Sequence, residues 1–107
     1  MEARPREIRV YETADGKRPF TDWMDHLRGL QIHGKILTRL DRVRKGNLGS
    51  CGPVGEGVSE LRIDFGPGYR VYFGQDGDQR VLVGGGTKGT QAADIAKAKE
   101  YWRDYNA

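Results

Sequence analysis

Val58-Ser59-Glu60-Leu61-Arg62-Ile63-Asp64-Phe65-Gly66-Pro67-Gly68-Tyr69-Arg70-Val71-Tyr72-Phe73 alternates apolar and polar residues on either side of a Gly-Pro-Gly turn. Leu61, Ile63 and Phe65 share one side of the first run, with Glu60, Arg62 and Asp64 on the other; Tyr69, Val71 and Phe73 alternate with Arg70 and Tyr72 in the second. A period of two on both sides of a glycine turn predicts paired strands, Val58 to Phe65 and Tyr69 to Gln75. Asp76-Gly77-Asp78 then supplies a hairpin turn into a third strand, Gln79 to Gly84.

Upstream, Gly46 to Gly57 holds five glycines and Pro53 without periodicity and reads as a surface loop. Before it, Ile32, Ile36, Leu37, Leu40 and Val43 mark one helix face that stops at Gly46, and Phe20, Trp23, Met24, Leu27 and Leu30 mark an earlier helix from Pro19 to about Gly29. The two helices suggest an antiparallel hairpin. Glu7 to Glu12 alternates as a short first strand, ended by Asp15-Gly16. Downstream, Thr90 suits the cap of a last helix with the stripe Ile95, Ala98, Trp102 and Tyr105, and Asp94 lies in its first turn. The order β-α-α-β-β-β-α predicts a single α+β domain over residues 1–107, a mainly antiparallel sheet with helices packed on one face.

The whole chain of 107 residues has room for one domain. Its 36% hydrophobic content supports a small core, and 16 glycines with only 4 prolines point to tight turns and exposed backbone. The single cysteine, Cys51, excludes an intramolecular disulfide and a thiolate-rich metal cluster. No run approaches the ~18 apolar residues of a membrane span, and Met1-Glu2-Ala3-Arg4-Pro5-Arg6 carries no apolar signal core, so a soluble protein of the reducing cytoplasm is expected.

The net charge of +3 is a mild bias toward anionic partners, but its placement says more. From Lys35 to Lys45, five basic residues face Asp41 alone, a local +4. Lys35, Arg39 and Arg42 are spaced four and three apart and share one helical face, which suits either a solvated surface or a stripe that tracks nucleic-acid phosphates. Arg62 and Arg70 sit on neighbouring strands, alternating away from the apolar set. Depending on register they share a polar face with Tyr72 and Glu60, either pairing with acids or presenting two guanidinium forks to a phosphate.

Gly84-Gly85-Gly86-Thr87-Lys88-Gly89 satisfies G-x-G-x-x-G, but a dinucleotide fingerprint needs a βαβ unit, and here the chain ends after one helix. The segment reads instead as a link with positive-φ glycines, or as an anion site made by free amides, Lys88 and the start of the last helix. His26 and His33 lie far in sequence from the arginine-bearing strands, and no metal-ligand spacing or hydrolytic nucleophile is visible.

The segment Gly57 to Phe73, with Leu61-Arg62 followed by Gly68-Tyr69-Arg70-Val71, resembles the central strand pair of the RelE/ParE toxin superfamily, in particular its HigB-like addiction module killer protein branch. Arg18-Pro19-Phe20 with Trp23, Gly46-Asn47, and Gly84 to Lys88 followed by Gln91, Asp94, Ile95, Ala98 and Trp102 extend the resemblance over nearly the whole chain. The resemblance implies a toxin of a type II toxin-antitoxin system, in the RelE and HigB branches an mRNA endonuclease of the ribosomal A site. Arg70 matches the strand arginine that contacts the scissile phosphate, Arg62 a strand position that is often basic, and Lys88 the basic residue after the last strand. RelE carries two lysines where this chain has Glu60 and Arg62, and a catalytic tyrosine near Asp94-Ile95; the C-terminal histidine of other branches is absent. Glu60, Asp94, Tyr101 and Tyr105 are the candidates for acid and base.

The expected chemistry is attack by the RNA's own 2′-OH, which needs no protein nucleophile, no metal and no cofactor. Arg70 holds the phosphate, Arg62 and Lys88 offset developing charge, and Lys35, Arg39 and Arg42 grip RNA. The expected partners are the ribosome, mRNA and a cognate antitoxin, a small helix-turn-helix protein from the adjacent gene through which operator DNA is reached. A ParE-like poison of DNA gyrase and a non-catalytic antitoxin-binding module are the alternatives.

Overall fold

Alternation along the chain becomes a five-stranded sheet with helices on both of its faces. The computed structural model describes residues 7–107; the polar lead-in read over Met1–Arg6 lies outside the described residues. In chain order the elements are β1 (Glu7–Val10), α1 (Pro19–His26), α2 (Leu30–Arg44), β2 (Cys51–Gly55), β3 (Val58–Ile63), β4 (Tyr69–Asp76), β5 (Gln79–Thr87), a short 3₁₀ turn (Lys88–Thr90) and α3 (Gln91–Tyr105). The sheet order is β1-β5-β4-β3-β2; β1 runs parallel to β5, and every other pair is antiparallel. This is an α+β domain with a mostly antiparallel open sheet. Among the described residues no helix is long and apolar enough to cross a membrane.

Each strand of the meander has a clear reason to turn where it does. Gly66 and Gly68 take φ of +55° and +82°, a region closed to most side chains, so β3 reverses directly into β4. At the end of α2, the amides of Gly46 and Asn47 bond the carbonyls of Val43 and Arg42, the paired bonds of a Schellman stop. The helices differ slightly from the expected bounds. α1 ends at His26 because Leu27 is already extended, and Gly29 at φ +106° redirects the chain into α2. Nor do they form a close antiparallel hairpin: α1 makes its close backbone approach to β5, and the two helices meet through side chains in a shared core.

Gly46 to Gly57 is not all loop. Cys51–Gly55 pairs with β3, Cys51 opposite Leu61 and Pro53 opposite Ser59, with a register shift between Pro53 and Gly55. Cys-Gly-Pro-Val-Gly has no alternation of its own and becomes a strand only because β3 offers it an edge, where proline is tolerated.

The helices do not share one face, because the strands are apolar on both. Phe20, Ile32, Ile36, Leu40 and Val43 pack with Leu61, Ile63, Val71, Phe73 and Leu82 on the α1/α2 side. Tyr11, Ala98 and Trp102 pack with Val58, Tyr72, Val81 and Val83 on the α3 side. The continuous apolar run Val81-Leu82-Val83 is the signature of a strand buried on both faces.

Of the β5 glycines, Gly85 and Gly86 serve close packing, and none of the three serves turning. Gly84, Gly85 and Gly86 are absent from the positive-φ residues, which corrects the flexible-link reading. A Cβ on Gly85 would lie 2.2 Å from the Trp23 ring, and one on Gly86 1.8 Å from the Asp94 carboxylate, whereas one on Gly84 would meet nothing within 4 Å. Gly85→Ala is therefore expected to destabilise the protein by about 1–3 kcal/mol through overpacking, while Gly84→Ala leaves stability unchanged or raises it by up to about 1 kcal/mol. Urea midpoints at constant slope measure both.

Candidate phosphate site on the α3 face of the sheet

Residues two apart on a strand share a face, and the register of β3 and β4 sets Glu60 opposite Tyr72 and Arg62 directly opposite Arg70. Two like charges face to face on neighbouring strands repel. Glu60 resolves the conflict. Its Oε1 lies 3.3 Å from Arg62 Nη1 and 3.8 Å from Arg70 Nε, and its Oε2 accepts a 2.7 Å hydrogen bond from Gln91 Nε2 at the start of α3. The side chains of Glu60, Arg70 and Arg62 are 4%, 13% and 40% exposed, a gradient from a sealed carboxylate to an open guanidinium.

Neither arginine is saturated by protein. Arg62 Nε donates to Ser50 Oγ at 3.2 Å, and its guanidinium lies over Gly52, where a Cβ would sit 3.2 Å from Nη1. Arg70 Nη1 donates to the Tyr69 carbonyl at 3.1 Å, while its Nε is buried with no hydrogen-bond acceptor. Tyr72 is fully buried beside them, with its hydroxyl near the Glu60 carboxylate. Burial pushes that phenol well above the usual tyrosine range, and the charges of Glu60 and Asp94 add to the rise.

Lys88 joins this group through Gly68. Its amide donates to the Gly68 carbonyl at 2.8 Å, and a Cβ on Gly68 would stand 3.5 Å from Lys88 Cβ and 3.6 Å from Arg70 Nη1. The β3–β4 turn thus brings Arg70 and Lys88 together, and Lys88 is exposed. The polar face of Glu60, Arg62, Arg70 and Tyr72 does not stay open along its length, however. α3 covers it, apolar over Val58 and Gly74 through Trp102, polar at the arginine end through Gln91.

No family model matches the chain. A protein of Haemophilus influenzae described only as an uncharacterized protein is 44% identical over 81 residues, 75% of this chain and 82% of that protein. The chain belongs to that protein's family. The relative's description carries no activity, so what the family does is argued from the residues.

Of the four acid-base candidates, Glu60 and Asp94 lie in this neighbourhood. Asp94 accepts a short hydrogen bond from Thr90 Oγ1 and lies against Gly86; Thr90 stands at the cap position of α3 but bonds no helix amide with its side chain. Tyr101 and Tyr105 are about 15 and 21 Å along α3 from Gln91 at the ordinary helical rise. Tyr101 stacks at a tilt near Tyr11, and Tyr105 donates to Asp76 at 2.6 Å, at the far end of the sheet. The histidines are also engaged elsewhere: His26 Nδ1 bonds the Asp22 carbonyl at 2.7 Å and His33 Nε2 the Leu27 carbonyl at 2.8 Å. Gln91 is the site residue whose role spacing did not reveal, since 31 positions separate it from Glu60.

The α2 stripe divides. Lys35 and Arg42 are exposed and border an open groove of about 550 Å³ with Gln31, Thr38, Ile63 and Asp64, and the Lys35 ammonium sits 5.0 Å from the centre of the Phe65 ring. Arg39 turns inward: its guanidinium donates twice to the Leu48 carbonyl, at 3.1 and 2.7 Å, and once each to those of Arg62 and Ser50, both at 2.6 Å. With four of five donors on backbone, Arg39 staples the α2–β2 loop to the end of β3 while still lining the groove with Lys35 and Arg42. Arg39→Ala is expected to cost about 1–3 kcal/mol, since the part-buried carbonyls of Leu48 and Arg62 lose a charged donor. Lys35→Ala and Arg42→Ala should stay within about 0.5 kcal/mol of wild type in the same urea titration.

Proposed function

We propose that this chain is a RelE/ParE-like toxin of the HigB-like branch, an mRNA endonuclease that inhibits translation and is held in check by a cognate antitoxin. The observation that carries the reading is the Arg62–Arg70 pair, directly opposed across two rigid strands, with Lys88 brought beside it by the β3–β4 turn. Two opposed guanidiniums at one end of a sheet, with the exposed Lys88 starting beside them, suit a group that gains negative charge as it reacts, as a phosphodiester does on the way to a pentacoordinate phosphorus.

In the proposed reaction the 2′-oxygen of the RNA forms a bond to the adjacent phosphorus and the 5′-oxygen of the next nucleotide leaves. Arg70, nearly enclosed, fixes the phosphate; Arg62 and Lys88, more exposed, offset the charge that develops on its oxygens. The energy comes from orientation and electrostatics, with the nucleophile supplied by the substrate. Lys35 and Arg42, outside the cluster along the α2 groove, are proposed to add salt-dependent contacts to RNA. The antitoxin is proposed to come from the adjacent gene as a small helix-turn-helix protein, to cover the basic face and to link the complex to operator DNA. The cytoplasm, where ribosomes and mRNA are, is the proposed location.

Induction without the antitoxin is expected to arrest growth within a short interval and to produce new mRNA ends in phase with codons, and Arg70→Ala is expected to abolish both while unfolding at the wild-type urea midpoint. Full toxicity of a folded Arg70→Ala protein contradicts the assignment; DNA damage without new RNA ends replaces it with the ParE-like gyrase reading, and harmless expression with the non-catalytic module.

A further inference from the structure

We infer that Glu60 is a positioning residue whose buried carboxylate stands between the two arginines beside the position of the bound phosphate, so that its charge organises the site while weakening its hold on RNA. The inference rests on the reading of Arg62 and Arg70 as phosphate ligands and concerns how that site is tuned.

Three observations lead to it. Arg62 and Arg70 are cross-strand partners whose like charges would drive the guanidiniums apart, and one oxygen of Glu60 lies between them, 3.3 and 3.8 Å away. The carboxylate holds the pair without completing it, because Arg70 Nε stays buried and without a hydrogen-bond acceptor. A phosphate arriving from solvent does not reach that buried Nε and meets instead the half-open guanidinium of Arg62 beside it. Finally, Glu60 is only 3% exposed and tied through its other oxygen to Gln91. It does not swing out to solvent when substrate arrives, so its negative charge stays beside the bound phosphate and opposes it.

Organisation and opposition separate in a variant that alters one and not the other. Glu60→Gln keeps the shape and a hydrogen bond to Gln91 but removes the charge. Binding of a short single-stranded RNA with 2′-O-methyl groups throughout, measured by fluorescence anisotropy at low salt, should become about tenfold tighter on loss of one negative charge at this distance. Cleavage of mRNA on programmed ribosomes should fall at least tenfold in kcat, because the arginines lose the charge that aligns them. Glu60→Asp, which keeps the charge but draws it back by one methylene, should leave affinity within twofold and lower kcat, so the inference stays testable if Glu60→Gln does not fold.

A gain in affinity with a loss in kcat supports the inference. Loss of kcat in Glu60→Gln with affinity unchanged or weakened overturns it, as does wild-type cleavage by Glu60→Asp. Arg70→Ala separates this from failure of the parent reading: if it binds the same RNA as tightly as wild type, the arginines are not phosphate ligands, whereas if it loses binding while Glu60→Gln gains none, only the role of Glu60 falls.

Discussion

A carboxylate held between two opposed guanidiniums is the constraint around which the arginine-bearing half of the molecule is arranged. The antiparallel register of β3 and β4 puts Arg62 across from Arg70, a placement that is unfavourable unless a negative charge is present. Glu60 supplies it from the same strand face and is nearly sealed from water. A buried carboxylate in turn needs its remaining oxygen satisfied, and Gln91 does this from the first turn of α3. Sheet register, arginine geometry and the seat of the last helix are therefore one coupled problem.

The seat of α3 is fixed mainly at its other end. Trp102 lies flat where Gly57 and Gly74 leave room, since a Cβ on either would come within 2.7 and 2.5 Å of its ring. Tyr105 stacks on Trp102 at 5.2 Å and bonds Asp76, Asp104 accepts from Tyr11, and Arg103 and Lys99 pair with Glu56 in the β2–β3 turn. Apolar burial and aromatic stacking thus anchor the C-terminal half, leaving the N-terminal half to meet the polar cluster through Gln91 and Asp94. This division keeps the arginine end of the sheet partly open to solvent while the opposite end is closed.

How much of this was legible in the sequence depended on whether the signal was local. Alternation about Gly66-Pro67-Gly68 specified the β3–β4 hairpin, and with it the shared face of Glu60, Arg62, Arg70 and Tyr72. The helical stripes of α2 and α3 were equally plain, because burial of one face imposes its period on the residues. β2 was not visible, because Cys51–Gly55 owes its strand form to an available edge and not to its own residues. Placement of all helices on one face fails for a related reason: Tyr72 alternates with the apolar set and reads as polar-side, whereas Val58, Tyr72, Val81 and Val83 form a second apolar face that needs its own cover. Arg39 shows the limit of reading a charged stripe by spacing. It shares the helical face of Lys35 and Arg42, yet three carbonyls from the α2–β2 loop and β3 claim it, and only tertiary structure says so.

If the cation cluster acts as proposed, the protein orients and stabilises, and the substrate provides the nucleophile. The chemistry of the new RNA termini tests that division of labour most directly. Attack by the neighbouring 2′-oxygen leaves a 2′,3′-cyclic phosphate on the upstream fragment and a 5′-hydroxyl on the downstream one, and these are the ends expected when mRNA from programmed ribosomes is cut by the wild-type protein. A 3′-hydroxyl paired with a 5′-phosphate would mean that water, and not the RNA, attacks the phosphorus, and would contradict the mechanism.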